Sequence, residues 1–182
     1  ELLQAKMVLA DAMEDLDERG VAFNRRLPVG IMVEVPSAVI TLDKFLPEID
    51  FISVGTNDLI QYALAVDRCN SQISDAYQAG DPAVLRLLET TLRTARAGQV
   101  PASICGQMSG EVTYTMLLLG LGARVLSVPP SAIPEIKKVC RSVTMVHCEE
   151  VAQRALTLDS AQEVDRYLRE VVRKVVPELV AA

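Results

Sequence analysis

The stretch FISVGTND at residues 51–58 combines a short apolar run with an abrupt polar end. A run of this length that contains β-branched and aromatic residues predicts a buried β-strand. The glycine after it predicts a turn, so the polar residues that follow would emerge at the carboxyl end of the strand. Similar apolar runs lie at residues 28–35, 100–105 and 125–128. The sequence therefore predicts four buried strands in one chain.

Helical patterns separate these runs. Asp81 followed by Pro82 predicts an N-cap and the first helical residue of a helix that ends at Gly98. Ser37 is a candidate N-cap for the helix that follows the first strand. Two kinds of signal predict the helices: apolar residues spaced three and four apart, and residues typical of helix starts and ends. The predicted helices lie at residues 1–20, 37–46, 81–98, 111–119, 131–139, 149–156 and 161–179.

Alternating strands and helices predict an α/β fold with a parallel sheet covered by helices. An open doubly wound sheet and part of a (β/α)8 barrel both fit this order. Glu34 lies near the end of the first strand, Asn57 and Asp58 follow the second, and Cys105 ends the third. Reactive side chains at successive strand ends are typical of a barrel enzyme, and no glycine-rich nucleotide-binding motif is present to favour the open sheet.

A complete barrel needs about 250 residues, whereas this chain has 182. We therefore expect the second half of a (β/α)8 barrel, with about four β/α units in a single unit spanning residues 1–182. Closing C-terminal helices are expected from about residue 149. The chain begins with Glu1 in a helical pattern, which we interpret as part of a longer protein.

Composition excludes several classes of function. Half of the residues are hydrophobic and the formal net charge is −6, which argues against a broad electrostatic surface for nucleic acid or anionic lipid. Aromatic residues make up 4% of the chain and tryptophan is absent, which leaves few stacking surfaces for single-stranded nucleic acid. No apolar run reaches the ~18 residues of a membrane span. We expect a cytoplasmic protein.

The cysteines also argue against some kinds of site. The chain has four cysteines and one histidine, His147, and no two cysteines have C-x-x-C spacing. This pattern argues against a zinc site and is typical of reduced thiols in the cytoplasm. With one histidine, away from the strand ends, a Ser-His-Asp arrangement is not expected.

The acidic residues at the strand ends suggest a different chemistry. An acid inside an apolar run is costly unless it is paired with a cation. Glu34 and Asp58 would suit Mg²⁺, which binds one or two carboxylates together with substrate phosphate oxygens; alternatively, Glu34 pairs with a basic residue and Asp58 caps the next helix. Cys105 is either an inert buried thiol or a functional one, and Arg68 is either solvated or a phosphate ligand.

Several ordered motifs resemble the phosphoenolpyruvate-utilising enzymes. They are GIMVEVPS at 30–37, DFISVGTNDLIQY at 50–62, AVDR at 65–68 and CGQMSG at 105–110. Tyr77-Gln78 and the stretch DPAVLRLL at 81–88 are most similar to the Enzyme I family of the sugar phosphotransferase system, the phosphoenolpyruvate–protein phosphotransferases. Gln107 and the pair Pro129-Pro130 depart from the pattern of that family.

The resemblance implies a specific set of roles. Glu34 and Asp58 would bind Mg²⁺, and Asn57 and Asp58 would contact phosphoenolpyruvate, Asn57 mainly through its backbone. Arg68 would bind phosphoryl oxygens, and Cys105 would protonate the methylene carbon of enolpyruvate to give pyruvate. A thiol that is protonated near neutral pH can serve as such an acid.

The resemblance also implies partners outside this chain. The phosphoryl group would pass to a histidine on a separate N-terminal domain and then to a phosphocarrier protein, and the parent protein would be a homodimer. Without that domain and the first half of the barrel, we expect the 182-residue chain to have no turnover and to bind phosphoenolpyruvate weakly. The alternatives are a pyruvate phosphate dikinase, a phosphoenolpyruvate synthase, a regulatory, nitrogen-related Enzyme I paralog, or a dimerisation fragment without ligand binding.

Overall fold

The computed structural model describes residues 1–70 and 73–179. The strands of its sheet are β1 (Gly30–Val33), β2 (Phe51–Gly55), β3 (Ala102–Cys105) and β4 (Val125–Leu126). The α-helices within the described part are α1 (Leu2–Glu18), α2 (Pro36–Ile40), α3 (Leu42–Phe45), α4 (Thr56–Leu64), α5 (Pro82–Ala97), α6 (Gln107–Gly110), α7 (Val112–Leu121), α8 (Ile133–Ser142), α9 (Met145–Ala155) and α10 (Ala161–Val175).

The sheet is parallel, with the strands in the order β1-β2-β3-β4. Each strand pairs with the next along the chain, and helices connect them, as parallel pairing requires. Val33 lies opposite Val54, and Val54 lies opposite Ile104. The prediction of an α/β fold with a parallel sheet of four strands is confirmed.

The two faces of the sheet differ in burial. Val33, Val54 and Ile104 share one face and are fully buried. On the other face Met32 is 48% exposed and Val125 is 56% exposed. The expectation that helices cover both faces is therefore wrong for the described residues, since the face that carries Met32 remains open.

Of the two predicted N-caps, Asp81 is confirmed and Ser37 is wrong. The Asp81 side chain accepts a hydrogen bond from the Ala83 backbone N–H at 2.8 Å, so the predicted N-cap of α5 is confirmed. The prediction of Ser37 as an N-cap is wrong, because α2 begins one residue earlier, at Pro36. Proline suits this first position, since its fixed φ is helical and the missing N–H has no partner there in any case.

The C-terminal helices pack on α7 and on each other. The first of them begins at Met145, before the expected position near residue 149, because the Thr144 hydroxyl caps it by accepting a bond from the His147 N–H. In α10 the buried side chains Val164, Leu168 and Val172 lie on one face, as their spacing predicts.

Gly120 allows α7 and α9 to approach closely. A methyl group at this position would overlap the backbone carbonyl of Cys148. We expect Gly120→Ala to lower the free energy of unfolding by about 1–3 kcal/mol, the usual cost of overpacking a core. Thermal denaturation measures this, with Gly98→Ala as the control, since the atoms nearest to a methyl group there belong to the flexible Leu46 side chain. Equal melting temperatures for the two variants would contradict the predicted close contact.

Candidate active site

The carboxyl ends of three neighbouring strands bring the predicted groups to one edge. Gly55 lies opposite Cys105 in the register of β2 and β3. Glu34 follows β1 directly, and a Cβ atom added to Gly55 would lie 2.8 Å from Glu34 Oε2. Asn57 and Asp58 lie in the first turn of α4, which starts at the residue after Gly55. The edge therefore holds Glu34, the start of α4 and Cys105 next to one another.

Glu34 has no counter-ion within the described part of the chain. It is half-buried, and no basic side chain or hydrogen-bond donor contacts its carboxylate among residues 1–70 and 73–179. The alternative that Glu34 pairs with a basic residue is therefore not observed. A half-buried carboxylate without a partner is costly unless it binds a cation.

Asp58 and Arg68 form a long ion pair. Asp58 Oδ1 lies 3.7 Å from a terminal guanidinium nitrogen (Nη2) of Arg68, and both side chains are partly exposed. A long ion pair of this kind contributes little to stability in solvent, so both groups remain available to a ligand. The alternative role for Asp58, capping α4, is not observed, because the N-cap position is Gly55 and no side chain caps this helix.

Tyr77 connects the segment after α4 to the site. Its hydroxyl donates to the backbone carbonyl of Asn57 at 3.2 Å. Burial raises the pKa of Tyr77, and the Arg68 guanidinium opposes that shift. The hydroxyl therefore stays protonated and can hold Asn57 in place.

Asn57 uses its side chain inside the protein. Its Oδ1 atom accepts a hydrogen bond from the Gln107 backbone N–H at 2.8 Å. This bond joins the start of α4 to the residues that follow β3. The side-chain oxygen of Asn57 is thus already engaged within the protein.

The Cys105 thiol lies on the open face of the sheet. It is half-buried, its S–H donates to the Val54 carbonyl at 3.4 Å, and its sulfur accepts from the Ser53 hydroxyl at 3.4 Å. Met32 Sδ is 3.9 Å from the same sulfur. The thiol thus reaches the open face, and the Ser53 hydroxyl is a donor that would stabilise a thiolate at this position.

Other site residues were missed from the sequence. Ser53 could have been found from strand periodicity, because it lies two residues before Gly55 and so shares its face. Tyr77 lies 20 residues after Asn57, beyond the reach of any local pattern. Its place in the site depends on how the intervening segment folds back.

The donor set fits a hard cation. Glu34 and Asp58 supply carboxylate oxygens, which Mg²⁺ prefers, and a Mg²⁺ site commonly uses one or two protein carboxylates with substrate phosphate completing it. Within residues 1–70 and 73–179, no three histidine, cysteine or acidic side chains are grouped so as to hold a metal ion by themselves. A pair that depends on substrate oxygens fits this arrangement better than a closed structural site.

Cys140, Cys148 and His147 lie in the helices that follow β4. Partial desolvation raises the pKa of the largely exposed Cys140 thiol, and burial raises the pKa of Cys148, so both thiols favour the unreactive protonated form. His147 is in α9, which packs on α7 and α10. None of these residues belongs to the strand-end site.

Comparisons with known proteins identify the family of this chain. The family described as "PEP-utilising enzyme, PEP-binding domain" matches residues 1–145. A phosphoenolpyruvate-protein phosphotransferase of Cupriavidus necator is 41% identical over 151 residues, covering 83% of this chain and 25% of that protein. A phosphoenolpyruvate-protein phosphotransferase of Borreliella burgdorferi is 42% identical over 157 residues, covering 86% of this chain and 27% of that protein.

A longer type of relative is also similar. Multiphosphoryl transfer protein 1 of Escherichia coli is 38% identical over 168 residues, covering 92% of this chain and 20% of that protein. The chain thus spans about a quarter of the length of the curated relatives it matches. No helix in the described ranges is both long and apolar enough to cross a bilayer. The chain belongs to the phosphoenolpyruvate-utilising enzymes, and its residues 1–145 match the family model described as their PEP-binding domain.

Proposed function

We propose that the chain is the C-terminal half of a (β/α)8 barrel that binds phosphoenolpyruvate in a phosphoenolpyruvate–protein phosphotransferase. The parent protein would transfer the phosphoryl group to a protein histidine and release pyruvate. The observation that supports this proposal is that Glu34, the start of α4 and Cys105 lie at one edge of the sheet, with Arg68 paired to Asp58 in the first turn of α4. The names of the similar proteins support the same reaction.

The open face of the sheet supports a barrel. Met32 and Phe51 are exposed on the face that would line the barrel interior. The two edge strands of the sheet, β1 and β4, also have backbone N–H and C=O groups that no further strand of the described residues pairs with. Further strands of the same barrel would pair with both edges and enclose this face. They would also complete the walls of the substrate site at the carboxyl ends of the strands.

Glu34 and Asp58 are the residues that would hold Mg²⁺. When bound, Mg²⁺ would neutralise charge on the phosphoryl oxygens and on the departing enolate oxygen. Arg68 would bind the phosphoryl oxygens with its planar guanidinium, a group suited to bidentate contacts. Its ion pair with Asp58 would keep the guanidinium near the start of α4 before substrate enters.

Cys105 would complete the reaction after phosphoryl transfer. As the bond between phosphorus and the enol oxygen breaks, the phosphoryl group would pass to a histidine on another domain. The methylene carbon of enolpyruvate would then take the proton of the Cys105 thiol, which forms the methyl group of pyruvate and leaves a thiolate. The Ser53 hydroxyl would stabilise that thiolate through the hydrogen bond it already donates.

The proposal includes partners and a location. A phosphocarrier protein would receive the phosphoryl group in a cytoplasmic pathway of sugar transport, and the parent protein would be a homodimer. Nucleic acid and membranes would not be partners. Light scattering tests self-association, and a monomer at high protein concentration would contradict it.

An assay of pyruvate tests the function. We expect the full-length protein that contains this chain to form pyruvate from phosphoenolpyruvate when Mg²⁺ and phosphocarrier protein are present. We expect the isolated 182-residue chain to form none, because it contains neither the histidine domain nor the first half of the barrel. A full-length protein that needs a nucleotide in place of the phosphocarrier would identify a dikinase or synthase instead. Turnover by the isolated chain would contradict the proposal that catalysis needs the histidine domain and the first half of the barrel.

A further inference from the structure

Side chains from outside the segment fix the backbone that follows β3. We refer to residues 105–107 as the thiol loop. The Cys105 carbonyl accepts a hydrogen bond from the Thr56 hydroxyl at 2.8 Å, and the Gln107 N–H donates to Asn57 Oδ1 at 2.8 Å. Between them, the Gly106 carbonyl lies 2.7 Å from the Ser109 hydroxyl. Each residue of the loop thus has one backbone polar group held by a side chain.

Thr56 is the most constrained of these partners. It is fully buried, at 0% exposure, so its hydroxyl has no access to water as an alternative partner. Gly106 has φ +100°, a conformation that favours glycine, and a Cβ atom there would overlap Thr56 Oγ1. The backbone at Gly106 therefore passes directly over the Thr56 hydroxyl, and a change at either residue must move the other.

Ser109 extends the same network to β4. Its side chain is fully buried, and its hydroxyl also lies 2.6 Å from the carbonyl of Ser127, which follows β4. One hydroxyl proton serves one of these two acceptors at a time. The thiol loop is thereby connected to the end of β2 through Thr56 and to the end of β4 through Ser109.

We infer that Thr56 and Ser109 are positioning residues that set the location of the Cys105 thiol. Neither hydroxyl contacts the sulfur. Both act on the backbone that carries it, so the thiol keeps its place between Ser53 and the Val54 carbonyl. The role of Cys105 as an acid rests on the proposed function, whereas the effect of the two hydroxyls on the accessibility of the thiol does not.

Position matters for a proton donor of this kind. Proton transfer to carbon requires the donor within hydrogen-bond reach of the accepting atom, and a displacement of about 1 Å can cost on the order of 10²-fold in rate. A thiol on a loosened loop would be more exposed and less well aligned. Loss of either hydroxyl should therefore raise the rate at which an alkylating reagent modifies Cys105. It should also lower kcat for pyruvate formation.

The test compares Thr56→Val with Thr56→Ser. Valine keeps the shape of threonine without the hydroxyl, and serine keeps the hydroxyl without the methyl group. In the folded 182-residue chain, alkylation by iodoacetamide is followed at Cys105 by peptide mass spectrometry, with exposed Cys69 as the internal reference. We expect Thr56→Val to raise the rate at Cys105 about fivefold, the factor that corresponds to one hydrogen bond, and Thr56→Ser to react at close to the wild-type rate.

A second variant and a kinetic measurement complete the test. Ser109→Ala should also raise the alkylation rate at Cys105. This variant replaces Thr56→Val in the test if circular dichroism shows that Thr56→Val does not fold. In the full-length protein, Thr56→Val should lower kcat for pyruvate formation more than it changes KM, and Thr56→Ser should restore kcat. Unchanged alkylation at Cys105 in folded Thr56→Val and Ser109→Ala would overturn the inference. Wild-type protein without turnover would contradict the proposed function alone, since the alkylation result does not depend on it.

Discussion

Replacement of Cys105 by alanine is expected to lower pyruvate formation by the full-length protein by about 10²–10⁴-fold, the range that general acid catalysis contributes. The thiol donates to the Val54 carbonyl and lies at the sheet edge that also holds Glu34 and the start of α4. Alanine removes this proton donor and a small part of the packing. Binding of phosphoenolpyruvate with Mg²⁺ should change little, because the groups that would bind them remain.

The matched control is Cys140→Ala. Cys140 lies in α8 and is exposed, so its removal leaves the strand-end site intact. We expect wild-type turnover from this variant. Wild-type turnover from Cys105→Ala would assign the proton to another donor, and equal losses in both variants would indicate a general effect on folding.

Replacement of Glu34 by glutamine is expected to weaken Mg²⁺-dependent turnover on the order of 10²-fold, because stabilisation of charge by a bound metal is worth several kcal/mol. Glutamine keeps the shape of the side chain but removes the charge that would hold the cation. Glu34 has no basic partner within the described ranges, so the change leaves no counter-ion unpaired. The measurement is pyruvate formation as a function of Mg²⁺ concentration.

The control for this variant is Glu48→Gln. Glu48 pairs with Lys6 at 3.0 Å and precedes β2, at the end of the sheet opposite the site. Loss of this partly exposed ion pair should have little effect on turnover. If Glu34→Gln requires no more Mg²⁺ than wild type and turns over as fast, the proposed ligand is wrong.

Strand patterns were sufficient to predict the position of the site. Parallel strands end at the same edge, so Glu34, Asn57 and Cys105 had to lie close together once the strands were identified. The N-cap of α5 at Asp81 was predicted in the same way from a short segment, since an aspartate followed by proline specifies a helix start within two residues. These features depend on short segments of sequence, and short segments are what periodicity and capping rules describe.

Features that depend on tertiary packing were not predicted. Tyr77 reaches Asn57 only because the segment after α4 returns to the sheet. Thr56 contacts the Cys105 carbonyl across 49 residues of sequence, and its burial follows from the assembly of two strands and a helix. The open face of the sheet was also missed, because an apolar strand has the same sequence pattern whether this chain or another part of the protein covers it.

Paramagnetic relaxation by Mn²⁺ in NMR spectra of the 182-residue chain tests the central claim most directly. Mn²⁺ binds the same kind of carboxylate sites as Mg²⁺, and it broadens the resonances of nearby amides without requiring turnover. The account predicts that Glu34, Asp58 and Cys105 broaden first, together with Gly55 between them. Broadening that begins at the acidic surface of α1, with the strand-end amides unaffected, would contradict a shared cation site at this edge of the sheet.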